Sequence, residues 1–88
     1  MRSGVAYSVK IKESALKALA RIPKGERKRL VEAIDRLKTE PLAGGTLKGE
    51  FSGLRRLRID RYRIVYEVAR GELLVLVVRI AHRSAAYR

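Results

Sequence analysis

From Leu54 to Ala81, apolar and polar residues alternate in three successive segments, separated only by short turn signals at Asp60-Arg61 and Arg70-Gly71. Alternation with a period of two marks a half-buried strand, and two-residue connections join only antiparallel neighbours. The pattern therefore predicts strands over Leu54–Ile59, Tyr62–Ala69 and Glu72–Ala81, folded as a meander. One face of such a meander is apolar and needs a cover. The preceding sequence supplies it. In "ESALKALARIP", Leu16, Leu19 and Ile22 fall at helical spacing, with Ser14 as the expected N-cap and Pro23 closing the segment. In "KGERKRLVEAIDRLKTEP", Leu30, Val31, Ile34 and Leu37 make one stripe, and Pro41 stops it. "AYSVKIK", Ala6 to Lys12, alternates as an opening strand.

Between helices and meander, Leu42 to Gly53 holds four of the seven glycines and reads as a loop, with one short extended piece around Thr46 to Lys48. The expected architecture is α+β in the order β-α-α-β-β-β: an N-terminal strand, a helical hairpin, then an antiparallel three-stranded meander, with both helices packed on one sheet face. Eighty-eight residues suit one domain over 1–88 with a single core.

The remaining composition narrows the function. There is no cysteine and only one histidine, His82, so neither a disulfide framework nor a metal cofactor is expected. The longest apolar run, Leu73 to Val78, is far short of the roughly 20 residues of a membrane span, and without a charged-then-apolar stretch and small-residue cleavage site near Met1 export by a signal peptide is not expected. A cytoplasmic protein without membrane contact or small-molecule ligand is expected. Twenty-one Lys and Arg against nine Asp and Glu leave a net charge of +12. That is the footprint of a nucleic-acid binder, although solubility or an acidic protein partner also produces basic surfaces.

The charge is concentrated. Five arginines fall among the nine residues Arg55 to Arg63. With Asp60 and Arg61 as a two-residue turn, Ile59 faces Tyr62, Arg58 faces Arg63, Leu57 faces Ile64 and Arg56 faces Val65. Leu57, Ile59, Tyr62, Ile64 and Tyr66 then share the core face. Arg56, Arg58 and Arg63 share the other, and like charges directly opposite destabilise a strand pair. Ordinary solvated arginines explain one or two such residues well and three converging ones poorly. Guanidinium groups match phosphate in bidentate geometry and stay charged, so the trio reads as a floor for a polyanion. A three-residue loop would shift the register and separate Arg58 from Arg63.

In the closing "HRSAAYR", Arg83 and Tyr87 stand four apart and share a face if the tail is helical. Such a pair holds a phosphate and stacks a base, as single-stranded nucleic acid requires. The other reading of Tyr87 is a terminal residue packed on the sheet. His82 reads either as an ordinary strand-end histidine or as a proton acceptor beside Arg83.

Taken together, the opening strand and helical hairpin, "LKG" at Leu47–Gly49, "LRRLRIDRYRIVYEV" at Leu54–Val68 and the closing "AHRSAAYR" resemble RelE-type toxins of the RelE/ParE superfamily, from type II toxin–antitoxin modules. The resemblance covers nearly the whole chain. It implies an endoribonuclease, independent of metal, that cuts mRNA in the ribosomal A site and is silenced by a cognate acidic, RelB-like antitoxin. It places the catalytic set on Arg56, Arg58, Arg63, Arg83 and Tyr87, with Lys48, Arg55, Arg61 and His82 as further RNA contacts and no cofactor.

The chain departs from the family in carrying Arg56 and Arg58 where well-known members have lysines. Arginine, with a pKa above about 12, is a far poorer proton acceptor than lysine at about 10.4. The base must then be another group, such as His82 or Tyr87, or the reaction must rest on electrostatics and ribosomal RNA. Two other classes stay open: a ParE-like inhibitor of DNA gyrase, and a non-catalytic basic RNA-binding protein.

Overall fold

The computed structural model describes residues 6–49 and 53–82. Strand β1 (Ser8–Ile11) leads into helices α1 (Glu13–Ala20) and α2 (Lys24–Arg36). Four strands follow: β2 (Gly45–Thr46), β3 (Leu54–Ile59), β4 (Tyr62–Ala69) and β5 (Leu74–His82). They form one five-stranded sheet in the order β1-β5-β4-β3-β2. The helices carry the chain from one sheet edge to the other, α1 lying over β5 and α2 over β3. β1 runs parallel to β5, with Ser8 opposite Leu74 and Ile11 opposite Val77, and every other pair is antiparallel.

Apolar periodicity explains which helix faces turn inward. Ala15 and Leu19 on α1, Leu30 and Ile34 on α2, and Ile22 and Leu37 just beyond each helix are buried against Ile64, Tyr66, Val75, Val77 and Ile80. Two expected core residues lie elsewhere: Leu16 and Val31 are 50% and 47% exposed on the outer side of the helices. In each helix the neighbouring residue, Ala15 or Leu30, occupies the inward position instead. Ser14 is not the cap either. Helix α1 begins at Glu13 with Lys12 as its N-cap and no side-chain cap bond. Glu13 in the first turn offsets this through the helix dipole.

The β3–β4 hairpin has the expected bounds and register, with Ile59 opposite Tyr62 and Arg58 opposite Arg63. Its tip is fastened to α2 by ion pairs from Arg29 to Asp60 at 3.3 Å and from Arg61 to Glu26 at 3.5 Å.

The β4–β5 connection differs from expectation. Instead of a two-residue turn there is a short 3₁₀ segment, Arg70–Glu72, followed by Leu73 at a φ of 51°. The strand therefore begins at Leu74 rather than Glu72. A leucine in left-handed backbone is strained, and this one is 42% exposed, so packing returns little. Leu73→Asn, which relieves the backbone, is expected to stabilise the fold by roughly 0.5–1 kcal/mol. Thermal unfolding measures this, and a lower Tm would mean that the leucine side chain is needed.

A second irregularity lies within β5. Tyr66 is opposite Val77 but Val65 is opposite Arg79, so Val78 is an extra residue, a β-bulge. Val75 and Val77 point into the core; strict alternation would then send Arg79 and Ala81 inward as well. The bulge inverts the phase, burying Ile80 and turning Arg79 outward.

Candidate functional site

The sheet face away from the helices gathers the arginines. Arg58 lies directly across from Arg63, and Arg56 is across from Val65, one step along the diagonal from Arg63. Directly opposed side chains have Cβ atoms about 4.5–5.5 Å apart and diagonal neighbours lie within about 8 Å. The three guanidiniums can thus converge on one phosphate. Arg58 is exposed, whereas Arg56 and Arg63 are half-buried, and the Nε of Arg63 is withdrawn from solvent. Half-burial in a regular strand limits where these side chains swing. Val65, only 5% exposed although it is on this outer face, stands between Arg56 and Arg79. Arginine stems cover apolar surface in this way while their heads stay in water.

Three residues expected to touch RNA are set apart from this face. Arg55 lies on the helix side, opposite Tyr66, and donates from Nη1 to the carbonyl oxygens of Gly44 at 2.7 Å and Leu42 at 3.5 Å. Its role is to hold the loop before β2. Arg61 sits at the hairpin tip, committed to Glu26. His82 also faces the helix side, opposite Tyr62, with the two rings edge to face at 5.7 Å. A base on that side stands behind the sheet from Arg58 and Arg63. Lys48 is exposed in the loop after β2. Arg83 and Tyr87 lie outside the described residues.

Beneath the arginine face is a polar anchor that the sequence pattern did not reveal. Tyr66 is fully buried; its hydroxyl donates to the Pro41 carbonyl at 2.9 Å and accepts the Gly44 N–H at 2.8 Å. Burial pushes its pKa up, and the Gly44 N–H and the Arg55 charge oppose this only in part. Burial also raises Tyr62, with the neighbouring Glu26 carboxylate reinforcing the effect. Gly44 must be glycine for lack of room: a Cβ there would lie 2.6 Å from the Arg56 carbonyl oxygen and 2.8 Å from the Tyr66 hydroxyl. The strand position of Arg56 thus depends on the Tyr66–Gly44 contact beneath it.

Among the described residues, no three His, Asp or Glu side chains converge as metal ligands, and no helix is long and apolar enough to cross a membrane. What the face offers is fixed positive charge with hydrogen-bond donors, suited to binding phosphate and to stabilising negative charge that grows on it.

A small α+β fold with two helices on one sheet face and an arginine hairpin on the other defines a class. The description of the ParE toxin of the type II toxin–antitoxin system parDE matches residues 9–87. The chain is 33% identical over 84 residues to the toxin RelE of Mycobacterium tuberculosis, which covers 93% of this chain and 87% of that one. A chain of the toxin–antitoxin complex RelBE2 of M. tuberculosis has a TM-score of 0.82 at 31% identity, covering 90% of this chain and all 100% of its own. A chain of the archaeal RelE–RelB complex from Pyrococcus horikoshii has a TM-score of 0.76 at 28% identity, covering 92% and 99%. The chain belongs to the RelE/ParE superfamily of type II toxin–antitoxin toxins.

Proposed function

We propose that the chain is a translation-inhibiting endoribonuclease that cuts mRNA in the ribosomal A site without a metal ion. The observation that carries this reading is the convergence of Arg56, Arg58 and Arg63 on one rigid sheet face, at a cost in repulsion. In the reaction, the 2′-oxygen attacks the adjacent phosphorus, the bond from phosphorus to the 5′-oxygen breaks, and a 2′,3′-cyclic phosphate and a 5′-hydroxyl result. The proton lost from the 2′-hydroxyl is matched by one gained at the leaving 5′-oxygen. Negative charge builds on the non-bridging oxygens in between. Arg63, at the centre of the cluster, stabilises that charge, and Arg56 and Arg58 orient the backbone. Arg83 supports the leaving oxygen and Tyr87 stacks on a base. None of the three strand arginines removes a proton readily, and His82 lies behind the sheet, so base assistance comes from Tyr87 or from the ribosome.

The family description names ParE, which keeps gyrase inhibition as a second reading. The arginine face favours the nuclease, because inhibition by binding has no need of a phosphate floor. Primer extension on ribosome-bound mRNA, run beside a gyrase supercoiling assay, separates the two. Cleaved message with unimpaired supercoiling is expected; intact message with blocked supercoiling would overturn the nuclease reading.

The solved complexes with antitoxins support a RelB-like partner for this chain as well. With +12 net charge on the toxin, that partner is acidic and its association is steered by charge. Raising the salt from 0.1 to 0.5 M is expected to slow association by about ten-fold or more. A rate indifferent to ionic strength would contradict the electrostatic part.

A further inference from the structure

We propose that Arg79 is a fourth phosphate-binding residue of the arginine face, gripping the RNA backbone on the far side of Arg63 from Arg56; this rests on the nuclease reading above. Arg63 is opposite Ala81, and Arg79 is opposite Val65, so Arg79 stands one diagonal step from Arg63 on β5 just as Arg56 does on β3. Arg63 is flanked symmetrically. Arg56 and Arg79 lie two strand spacings apart, roughly 9–10 Å, wide enough to serve different phosphates of one strand of RNA.

The device that brings Arg79 there is the bulge at Val78. Without it, the alternation set by Val75 and Val77 would aim this arginine into the core. The bulge thus adds a positive charge to a face already crowded with three. Closing the core alone does not account for that, because any polar residue serves at an exposed strand position. Bulges that re-aim a side chain recur next to functional sites. Directly across from Arg63 on β5 is Ala81, whose small side chain adds no bulk beside the central arginine. A packing role, in which the Arg79 stem merely shields Val65, would be filled as well by methionine. That difference makes the two accounts separable.

The test measures binding of a single-stranded RNA oligonucleotide carrying 2′-O-methyl sugars, which cannot be cut, across a range of salt. Wild type is compared with Arg79→Met, Arg79→Lys and, as a charge-loss control on the outer side of α2, Lys28→Met. Arg79→Met is expected to bind about five-fold more weakly, with the slope of log K against log salt reduced by about 0.7, the value of one contact to single-stranded phosphate. Arg79→Lys should keep the slope and Lys28→Met should match wild type, all with unchanged thermal unfolding. The proposal is overturned if Arg79→Met titrates like Lys28→Met, as a packing role filled by methionine requires, if its weaker binding comes with a lower Tm and so follows from a disturbed fold, or if wild type does not bind this RNA. A wild type that binds with these slopes but leaves ribosomal mRNA intact would sink the nuclease reading and leave the Arg79 contact standing.

Discussion

Arg63→Ala is expected to slow single-turnover cleavage of ribosome-bound mRNA by about 10²–10³-fold in a chain that still folds. The magnitude is that of removing one preorganised donor aimed at developing charge. Arg63 faces Arg58 directly and has Arg56 on its diagonal, so the substitution takes away the central positive charge of the face. A loss of rate in a variant that still unfolds cooperatively is the signature of a residue retained for chemistry. Arg63→Lys should recover only part of the rate, since a point charge cannot reproduce the two parallel hydrogen bonds of guanidinium to phosphate. Rapid-quench kinetics and thermal unfolding on the same preparations check both halves. An alanine variant that cuts at the wild-type rate would remove Arg63 from the mechanism.

The largest effects on stability are expected at Tyr66 and Gly44. Tyr66→Phe removes a hydroxyl that serves two backbone partners, orphaning the Pro41 carbonyl and the Gly44 N–H. The loss should be about 1–3 kcal/mol, and in a domain of this size each kcal/mol lowers Tm by about 4–8 °C. Gly44→Ala should cost about 1–3 kcal/mol by overpacking, and because its Cβ meets the Arg56 carbonyl it should also displace that arginine and weaken RNA binding. The pH dependence supplies a check. Folding raises the Tyr66 pKa above its ordinary value near 10, so its stabilisation is complete below pH 10 and is lost as the pH climbs through the folded-state value. The difference in Tm between wild type and Tyr66→Phe should therefore be constant from pH 7 to 9 and shrink above 10. A difference that grows there would contradict the assigned hydrogen bonds.

The hairpin was legible in the sequence because two local signals agreed. A two-residue turn fixed the register, and the period-2 pattern fixed which side of each strand was apolar. What was not legible depended on non-local packing. The continuous apolar run Leu73 to Val78 carries no phase, so the bulge at Val78 and the outward turn of Arg79 were invisible. The tail end of the strand held a clue: Ile80 and His82, flanked by Arg79 and Ala81, alternate in the phase opposite to Val75 and Val77. Arg55 looked like one more member of an arginine cluster, yet strand parity alone puts it on the side of Leu57 and Ile59. Of the two readings of His82, the strand-end histidine agrees with its place at the end of β5, and the bulge that carries it to the helix side could not be read from the sequence. Leu16 and Val31 failed as core residues because a helical stripe drawn from apolar spacing is wider than the strip of surface the sheet covers.

The central claim is that this face performs chemistry on RNA rather than merely binding it. The measurement that addresses it most directly is cleavage by the wild-type chain of ribosome-bound mRNA carrying either a ribose or a 2′-deoxyribose at the scissile nucleotide, with both product ends analysed. The account predicts that only the ribose message is cut, giving a 2′,3′-cyclic phosphate and a 5′-hydroxyl. Equal cleavage of the deoxy message, or ends bearing a 5′-phosphate, would contradict it.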